Sequence, residues 1–155
     1  FNGKLAESGK INKEILNKSM ESWKNNFAIN FNLKKSYDIK DFDTSFFNGL
    51  SLEDGAATIT EYTSKILSEY ISNMSESKQI IICGGGRKNK FLMSSIIKKF
   101  NVNVKKIDEF GIDGDFIESQ AFAFLAIRSY LNFPISFPET TGVNKPCVGG
   151  LIIKN

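Results

Sequence analysis

Hydrophobic residues recur along the chain with two different spacings, which predict an alternation of helices and strands. A spacing of three to four residues predicts amphipathic helices at residues 10–24 and from an N-cap at Asp54 onwards. The second of these has an apolar face formed by Ile59, Tyr62, Ile66, Leu67, Tyr70 and Ile71. Short β-branched runs predict strands at residues 79–83, about 102–107 and 148–153.

The second half of the chain adds two more predicted helices. Residues 90–100 carry one apolar face, whereas residues 116–131 are apolar nearly all round, which predicts a buried central helix. Asp115 and Glu118 fit a capping box at the start of that helix. Because strands and helices alternate, we expect an α/β fold with parallel strands and right-handed crossovers.

Three consecutive glycines, Gly84, Gly85 and Gly86, separate the strand at 79–83 from the next helix. Glycine permits positive φ and lets a flat or anionic ligand lie on the main chain. The helix that follows offers N–H groups in its first turn, with Asn89 as N-cap. The pattern predicts a nucleotide site, and a tight strand–helix connection without a ligand is the alternative. Asn89 replaces the third glycine of Gly-x-Gly-x-x-Gly, which disfavours a dinucleotide site.

Composition excludes several classes of protein and site. The chain has 155 residues and 14 phenylalanines, enough for one globular domain with a real core. Its net charge of +3 comes from lysines scattered among acids, so we expect no nucleic-acid partner. Arg87 and Lys88 are interpreted as solvated surface, with contact to a phosphate group as the alternative. The absence of histidine excludes Ser–His and Cys–His catalysis. Neither a membrane span nor a disulfide framework is indicated, and we expect a cytoplasmic protein.

Acidic residues cluster around one loop, at Asp108, Glu109, Asp113 and Asp115. Such a cluster holds Mg²⁺ through water in some proteins, but solvation of a loop is the simpler interpretation. No metal ligand is assigned on this chain.

Several segments of the second half match, in order, the motifs of one known family. They are residues 83–89 (Cys-Gly-Gly-Gly-Arg-Lys-Asn), 92–93 (Leu-Met), Gly111, 118–128 (Glu-Ser-Gln-Ala-Phe-Ala-Phe-Leu-Ala-Ile-Arg), Pro134, Pro138, 140–143 (Thr-Thr-Gly-Val) and 149–150 (Gly-Gly). The first half adds 8–12 (Ser-Gly-Lys-Ile-Asn), 35–36 (Lys-Ser) and 54–60 (Asp-Gly-Ala-Ala-Thr-Ile-Thr). In this order, over almost the whole chain, the sequence resembles the C-terminal half of the anhydro-N-acetylmuramic acid kinase family.

The resemblance implies a cytoplasmic kinase of cell-wall recycling. It would use ATP, Mg²⁺ and water to open 1,6-anhydro-N-acetylmuramic acid and give N-acetylmuramic acid 6-phosphate. The implied fold is the C-terminal lobe of the actin-like ATPase and sugar kinase (ribonuclease H-like) architecture. Gly84, Gly85, Gly86 and Asn89 would then bind the nucleotide, and Glu118 would accept hydroxyl groups of the amino sugar. A homodimer is compatible with this assignment.

The resemblance is incomplete in one respect. Family members are longer and carry a Gly-Thr-x-Ser-Gly-Thr-Ser phosphate loop and an Asp-Thr-Gly-Pro-Gly-Asn motif whose Asp is the catalytic base. Neither motif occurs here. We therefore expect residues 1–155 to form a single domain truncated on its N-terminal side, with an irregular helical part at 1–77 and a βαβαβ part at 78–155. No catalytic residue is assigned on it, and the isolated chain should be inactive and prone to associate through an exposed sheet edge.

Two other functions remain open on the sequence alone. One is a non-catalytic nucleotide-binding module of the same fold, and the other is an unrelated small α/β domain. Binding of ATP without turnover would distinguish the first of these from a kinase.

Overall fold

A computed structural model describes residues 2–30, 39–74 and 79–153 and places them in six α-helices and a two-stranded sheet. The helices are α1 (Lys4–Ser8), α2 (Lys13–Asn30), α3 (Leu52–Met74), α4 (Lys90–Ile97), α5 (Ile117–Tyr130) and α6 (Pro138–Thr141), and the strands are β1 (Gln79–Ile82) and β2 (Asn103–Lys106). The chain divides into two compact units, Phe1–Ile112 and Asp113–Asn155. This division falls after residue 112, whereas the sequence pattern places the change of character after residue 77. That the whole chain forms one lobe of a kinase stays a prediction.

The hydrophobic core of the first unit lies between α2 and α3. It consists of Leu16, Met20, Trp23, Tyr62 and Ile66, with Phe42 and Phe47 packed against it. The ring centroids of Phe47 and Tyr62 are 5.5 Å apart. Both amphipathic helices of the sequence are therefore confirmed. The Lys35–Ser36 motif lies outside the described residues.

The segment at residues 8–12 lies along the first turns of α3. Asn12 donates its backbone N–H to Thr58 Oγ1 at 3.0 Å, and Lys10 donates its backbone N–H to Asp54 Oδ1 at 2.7 Å. The prediction that Asp54 is the N-cap of α3 is wrong. The helix begins at Leu52, and Ser51 Oγ accepts the Asp54 N–H at 3.1 Å. Two of the segments that carry the family resemblance thus bind each other.

A buried polar cluster joins α3 to α4. Ser64 Oγ and Ser95 Oγ are 2.7 Å apart, and Ser95 also donates to the Glu61 carboxylate. Lys99 donates to Glu61 Oε1 at 2.7 Å and to Ser95 Oγ at 2.9 Å. Because each of these polar groups has a partner, their burial does not carry the penalty of an unsatisfied group.

The two strands pair in parallel, with Gln79 opposite Asn103 and Ile82 opposite Lys106. The predicted parallel pairing is confirmed. The predicted strand at 148–153 is wrong: in the described part of this region only an isolated antiparallel bridge joins Ser136 to Cys147. A β-branched run becomes a strand only when a neighbouring backbone pairs with it, and no described strand pairs with residues 148–153.

Helix α5 belongs to the second unit and is exposed, contrary to the prediction of a buried central helix. None of its residues is buried, and Phe122, Phe124 and Ile127 are 64%, 59% and 60% exposed. Its apolar residues lie on every side, whereas the segments that follow it in its own unit cover only part of its surface. None of the helices in the described parts of the chain combines the length and apolar character of a membrane span.

Arg128 fastens the end of α5 to the segment that follows it. Its Nε donates to the Pro134 carbonyl at 2.7 Å. Its guanidinium lies over the rings of Phe124 and Phe133, with 5.6 Å and 5.7 Å to the ring centroids. Ser129 adds a hydrogen bond to the Gly149 carbonyl.

Candidate functional site

The glycine turn, residues 84–89, begins at the carboxyl end of β1. Gly84 has φ +77° and ψ 177°, a combination that is essentially restricted to glycine. Gly85–Lys88 then form one 3₁₀ turn, and α4 begins at Lys90. Ligands of α/β proteins bind outside the carboxyl ends of parallel strands, which is where this turn lies.

One face of the glycine turn is open. A Cβ built on Gly84 or Gly85 would meet no atom within 4 Å. At Gly86 the nearest atom would be Leu92 Cδ2 at 3.7 Å. A flat ligand can therefore approach the main chain without moving any described side chain.

The N-terminus of α4 is already occupied by groups of the chain itself. Asn89 accepts the Leu92 N–H through its side chain at 3.0 Å, which confirms its predicted role as N-cap. The Asn2 carbonyl accepts the Lys90 N–H at 3.1 Å. Two of the first-turn donors therefore already have protein acceptors. The open part of the site is thus the glycine main chain and not the helix N-terminus.

Arg87 lies beneath the turn and is only 4% exposed. Its Nε donates to Asp108 Oδ2 at 2.7 Å, and its Nη2 donates to Asp108 Oδ1 at 3.0 Å. Its Nη1 donates to the Gly84 carbonyl at 3.0 Å. The interpretation of Arg87 as solvated surface is therefore wrong, since a charged group is buried here with a carboxylate and a carbonyl as partners. Lys88 is exposed, as predicted.

The order of residues along the chain contains a signal for the Arg87–Asp108 pair that the hydrophobic pattern does not reveal. Arg87 follows the end of β1 and Asp108 follows the end of β2. Parallel strands bring their carboxyl ends to the same edge of a sheet. An arginine and an aspartate just beyond two neighbouring strands are therefore expected to be close.

Carboxylates of the acidic loop accept hydrogen bonds from backbone N–H groups close by in the chain. Glu109 Oε1 accepts the Lys106 N–H at 2.8 Å, and Asp113 Oδ1 accepts the Asp115 N–H at 2.9 Å. Within residues 2–30, 39–74 and 79–153, no three acidic or cysteine side chains are grouped so as to hold a metal ion.

Glu118 lies in the first turn of α5, in the second unit, and is exposed. The capping box predicted for Asp115 and Glu118 is wrong: α5 begins at Ile117, the residue before it is Phe116, and no side chain caps the helix there. The Glu118 carboxylate is nevertheless accessible to a ligand.

An open glycine turn between a strand and a helix, at the carboxyl edge of a parallel pair, is characteristic of nucleotide-binding α/β proteins. The family is given by the sequence as a whole. The chain belongs to the anhydro-N-acetylmuramic acid kinase family, whose sequence model matches residues 1–155. Members of this family have a sugar-kinase-like fold.

Individual relatives agree with this assignment. The chain is 50% identical to an anhydro-N-acetylmuramic acid kinase of Pelagibacter ubique over 99% of its own length and 42% of that protein. Identity is 42% with the kinase of Zymomonas mobilis over 76% of the chain and 33% of that protein. It is 36% with the kinase of Caulobacter vibrioides over 97% of the chain and 40% of that protein. The chain thus spans less than half the length of these relatives.

Proposed function

We propose that the protein containing this chain is a cytoplasmic kinase that uses ATP and water to open 1,6-anhydro-N-acetylmuramic acid and form N-acetylmuramic acid 6-phosphate. The family match over all 155 residues and the names of the relatives support this proposal. ATP, together with Mg²⁺, supplies the phosphoryl group. The catalytic base and the phosphate loop belong to family motifs that residues 1–155 do not contain.

Within that protein, this chain would form the C-terminal lobe and hold the adenosine of ATP on the main chain of Gly84, Gly85 and Gly86. The observation that carries the assignment is the empty space over Gly84 and Gly85. Asn89 would act mainly by capping α4, because its side-chain oxygen already accepts the Leu92 N–H. Its part in binding is then to hold the helix that follows the turn.

Glu118 is the proposed contact to the amino sugar. A carboxylate accepts hydrogen bonds from sugar hydroxyl groups, and this one is exposed at the first turn of α5. The proposal for Glu118 rests on the resemblance of residues 118–128 to the family motif.

The nucleotide site is tested by substituting Gly85 in the full-length protein and titrating with ATP in a calorimeter. Gly85 has an ordinary φ and open space, so Gly85→Val should fold as the wild type does. Its side chain would project to where the ligand lies, and we expect a loss of ATP affinity of at least about tenfold. Gly55→Val, in α3, is the matched control and should bind ATP normally.

An unchanged ATP affinity in Gly85→Val would refute the nucleotide site. Turnover is measured separately, as ADP released when the full-length wild-type protein receives ATP and the anhydro sugar. Binding of ATP without sugar-dependent ADP release would refute the kinase and favour a non-catalytic nucleotide-binding module.

A further inference from the structure

The geometry points to Arg87 and Asp108 as the positioning pair that sets the shape of the glycine turn for its nucleotide. This inference rests on the proposed function, since it concerns the same site. Arg87 is buried beneath the turn and joins the Gly84 carbonyl to the Asp108 carboxylate. Neither side chain is assigned a direct contact with the ligand.

The guanidinium fixes the turn because it is planar and its donors are rigidly arranged. Nε and Nη2 form two parallel bonds to the two oxygens of Asp108, at 2.7 Å and 3.0 Å, which fixes the plane of the group. Nη1 then reaches the Gly84 carbonyl at 3.0 Å, and the Arg87 backbone N–H reaches the same oxygen at 3.3 Å. Gly84 therefore has its carbonyl held by two donors of one residue.

That carbonyl belongs to the residue with the most unusual backbone of the turn. Gly84 combines φ +77° with ψ 177°, which is only one of the many conformations open to glycine and must be selected by the surroundings. The two hydrogen bonds from Arg87 supply that restraint. Without them the three glycines can adopt many other conformations, since glycine has the largest backbone freedom of all residues.

Asp108 connects the turn to the sheet. It stands in the 3₁₀ turn Ile107–Phe110 directly after β2. This turn is closed by the Gly111 N–H on the Asp108 carbonyl at 3.1 Å and by the Lys106 N–H on Glu109 Oε1 at 2.8 Å. The backbone that carries the carboxylate is therefore held at the carboxyl end of β2, beside the end of β1, and the Asp108 side chain itself is 44% exposed. Through Arg87, the glycine turn takes its position from both strands.

Breaking the pair should weaken nucleotide binding without removing a ligand contact. If the binding-competent shape of the turn is populated for only a fraction of the time, the apparent affinity falls by that fraction. The effect should be specific to ATP and leave the KM of the sugar unchanged. A merely structural pair would instead lower stability and affect both substrates alike.

The test uses Arg87→Met, Arg87→Lys and Asp108→Asn in the full-length protein, with ATP affinity, the KM of the sugar and melting temperature as readouts. We expect Arg87→Met and Asp108→Asn each to weaken ATP binding about tenfold. The double variant should bind ATP no less tightly than the single variant with the lower ATP affinity, because both substitutions remove the same link. Lysine cannot form the bidentate pair, so Arg87→Lys should also bind ATP less tightly than the wild type. This variant provides the test if Arg87→Met does not fold.

Lys99→Met is the matched control, because it breaks another ion pair of the first unit, Lys99–Glu61, at 2.7 Å and with side chains 19% and 16% exposed. It should lower the melting temperature but leave ATP affinity unchanged. The positioning role is refuted if the Arg87 and Asp108 variants bind ATP as the wild type does, if their effects add, or if Lys99→Met weakens ATP binding equally. Comparison with Gly85→Val separates the two proposals. If Gly85→Val loses ATP binding while the Arg87 and Asp108 variants bind normally, only the positioning pair is refuted. If Gly85→Val binds ATP normally, the nucleotide site itself is refuted.

Discussion

Gly3 lies directly against Asn89, so that a Cβ on Gly3 would be 2.0 Å from Asn89 Oδ1. The same oxygen caps α4 by accepting the Leu92 N–H. Next to it, the Asn2 carbonyl accepts the Lys90 N–H. The first described residues of the chain are therefore part of the support of the helix that follows the glycine turn.

Replacing Gly3 by alanine should disturb this support. The added methyl group must displace Asn89, which removes a helix cap worth about 1 kcal/mol. Gly49→Ala is the control, because Gly49 has a similar φ of +87° compared with +85° but no atom within 4 Å of its Cβ position. We expect Gly3→Ala to melt several degrees below Gly49→Ala. Equal melting temperatures would show that the contact carries no energy.

Gly9 should tolerate no side chain for a purely steric reason. Its φ of −93° suits any residue, but a Cβ would lie 2.0 Å from the Glu53 carbonyl oxygen. Gly9→Ala must separate residues 8–12 from α3 and should cost about 1–3 kcal/mol in the free energy of unfolding. Denaturant titration measures this cost.

The control for Gly9 is Gly55→Ala, within α3. Its nearest neighbour would be Leu50 Cβ at an ordinary 3.8 Å, and alanine is favoured over glycine in a helix by about 0.5–1 kcal/mol. Gly55→Ala should therefore stabilise the protein while Gly9→Ala destabilises it. A stable Gly9→Ala variant would contradict the observed approach of the two segments.

Acid should weaken the link between α3 and α4. Burial tends to raise the pKa of Glu61, but hydrogen bonds from Lys99 and Ser95 and the charges of Lys99 and Lys65 together hold that pKa below its ordinary value of 4.5. A carboxyl whose pKa is lowered by folding stabilises the fold above the pKa of the unfolded chain. This contribution is lost as the pH falls from about 4.5 through the folded-state pKa.

Glu61→Gln tests this pH dependence. We expect it to cost about 1–3 kcal/mol at pH 7 and to approach the wild type in unfolding free energy once the pH falls below the folded-state pKa of Glu61. Glu14→Gln removes an exposed ion pair with Lys18, whose side chains are 77% and 62% exposed, and should change little at neutral pH. A difference between wild type and Glu61→Gln that stays constant with pH would rule out the assigned role of the carboxylate.

Glu118→Gln tests the sugar contact. Loss of the charge weakens a hydrogen bond to a hydroxyl group, and we expect the KM of the sugar to rise about tenfold while ATP affinity stays unchanged. Steady-state kinetics of the full-length protein measure the first quantity and calorimetry the second. Glu139→Gln, an exposed carboxylate of the same unit, is the control. An unchanged KM for the sugar would remove Glu118 from the binding site.

The features that the sequence predicts correctly depend on neighbours close in the chain. Strand β1, the glycine turn and the capping of α4 by Asn89 are all encoded within residues 79–97. Strand β2 and its parallel pairing follow from the alternation of elements. For the glycine turn and the helix cap, the local pattern of residues and hydrogen bonds is enough to determine the structure, whereas the pairing of β1 with β2 also needs the crossover through α4.

The failed predictions depend on contacts between distant residues. Residues 148–153 have the composition of a strand, but pairing needs a second backbone, which composition does not report. The prediction of a buried α5 rests on the residues of that helix, whereas burial depends on what packs against it. Arg87 resembles a surface residue in the sequence because its partner Asp108 lies 21 residues away. Asp54 and Asp115 have the character of helix caps, yet the helices begin at different residues.

Only two of the 20 basic residues of this chain are arginines. The guanidinium of Arg87 donates to one carboxylate and one carbonyl at the same time. The planar guanidinium of Arg128 lies over two aromatic rings. In a saturation library, exchange of arginine for lysine is ordinarily among the mildest changes, but here it should be selected against at both positions. The reverse exchange should pass unnoticed at solvent-exposed lysines, so the tolerance of this chain to basic residues should run in one direction only.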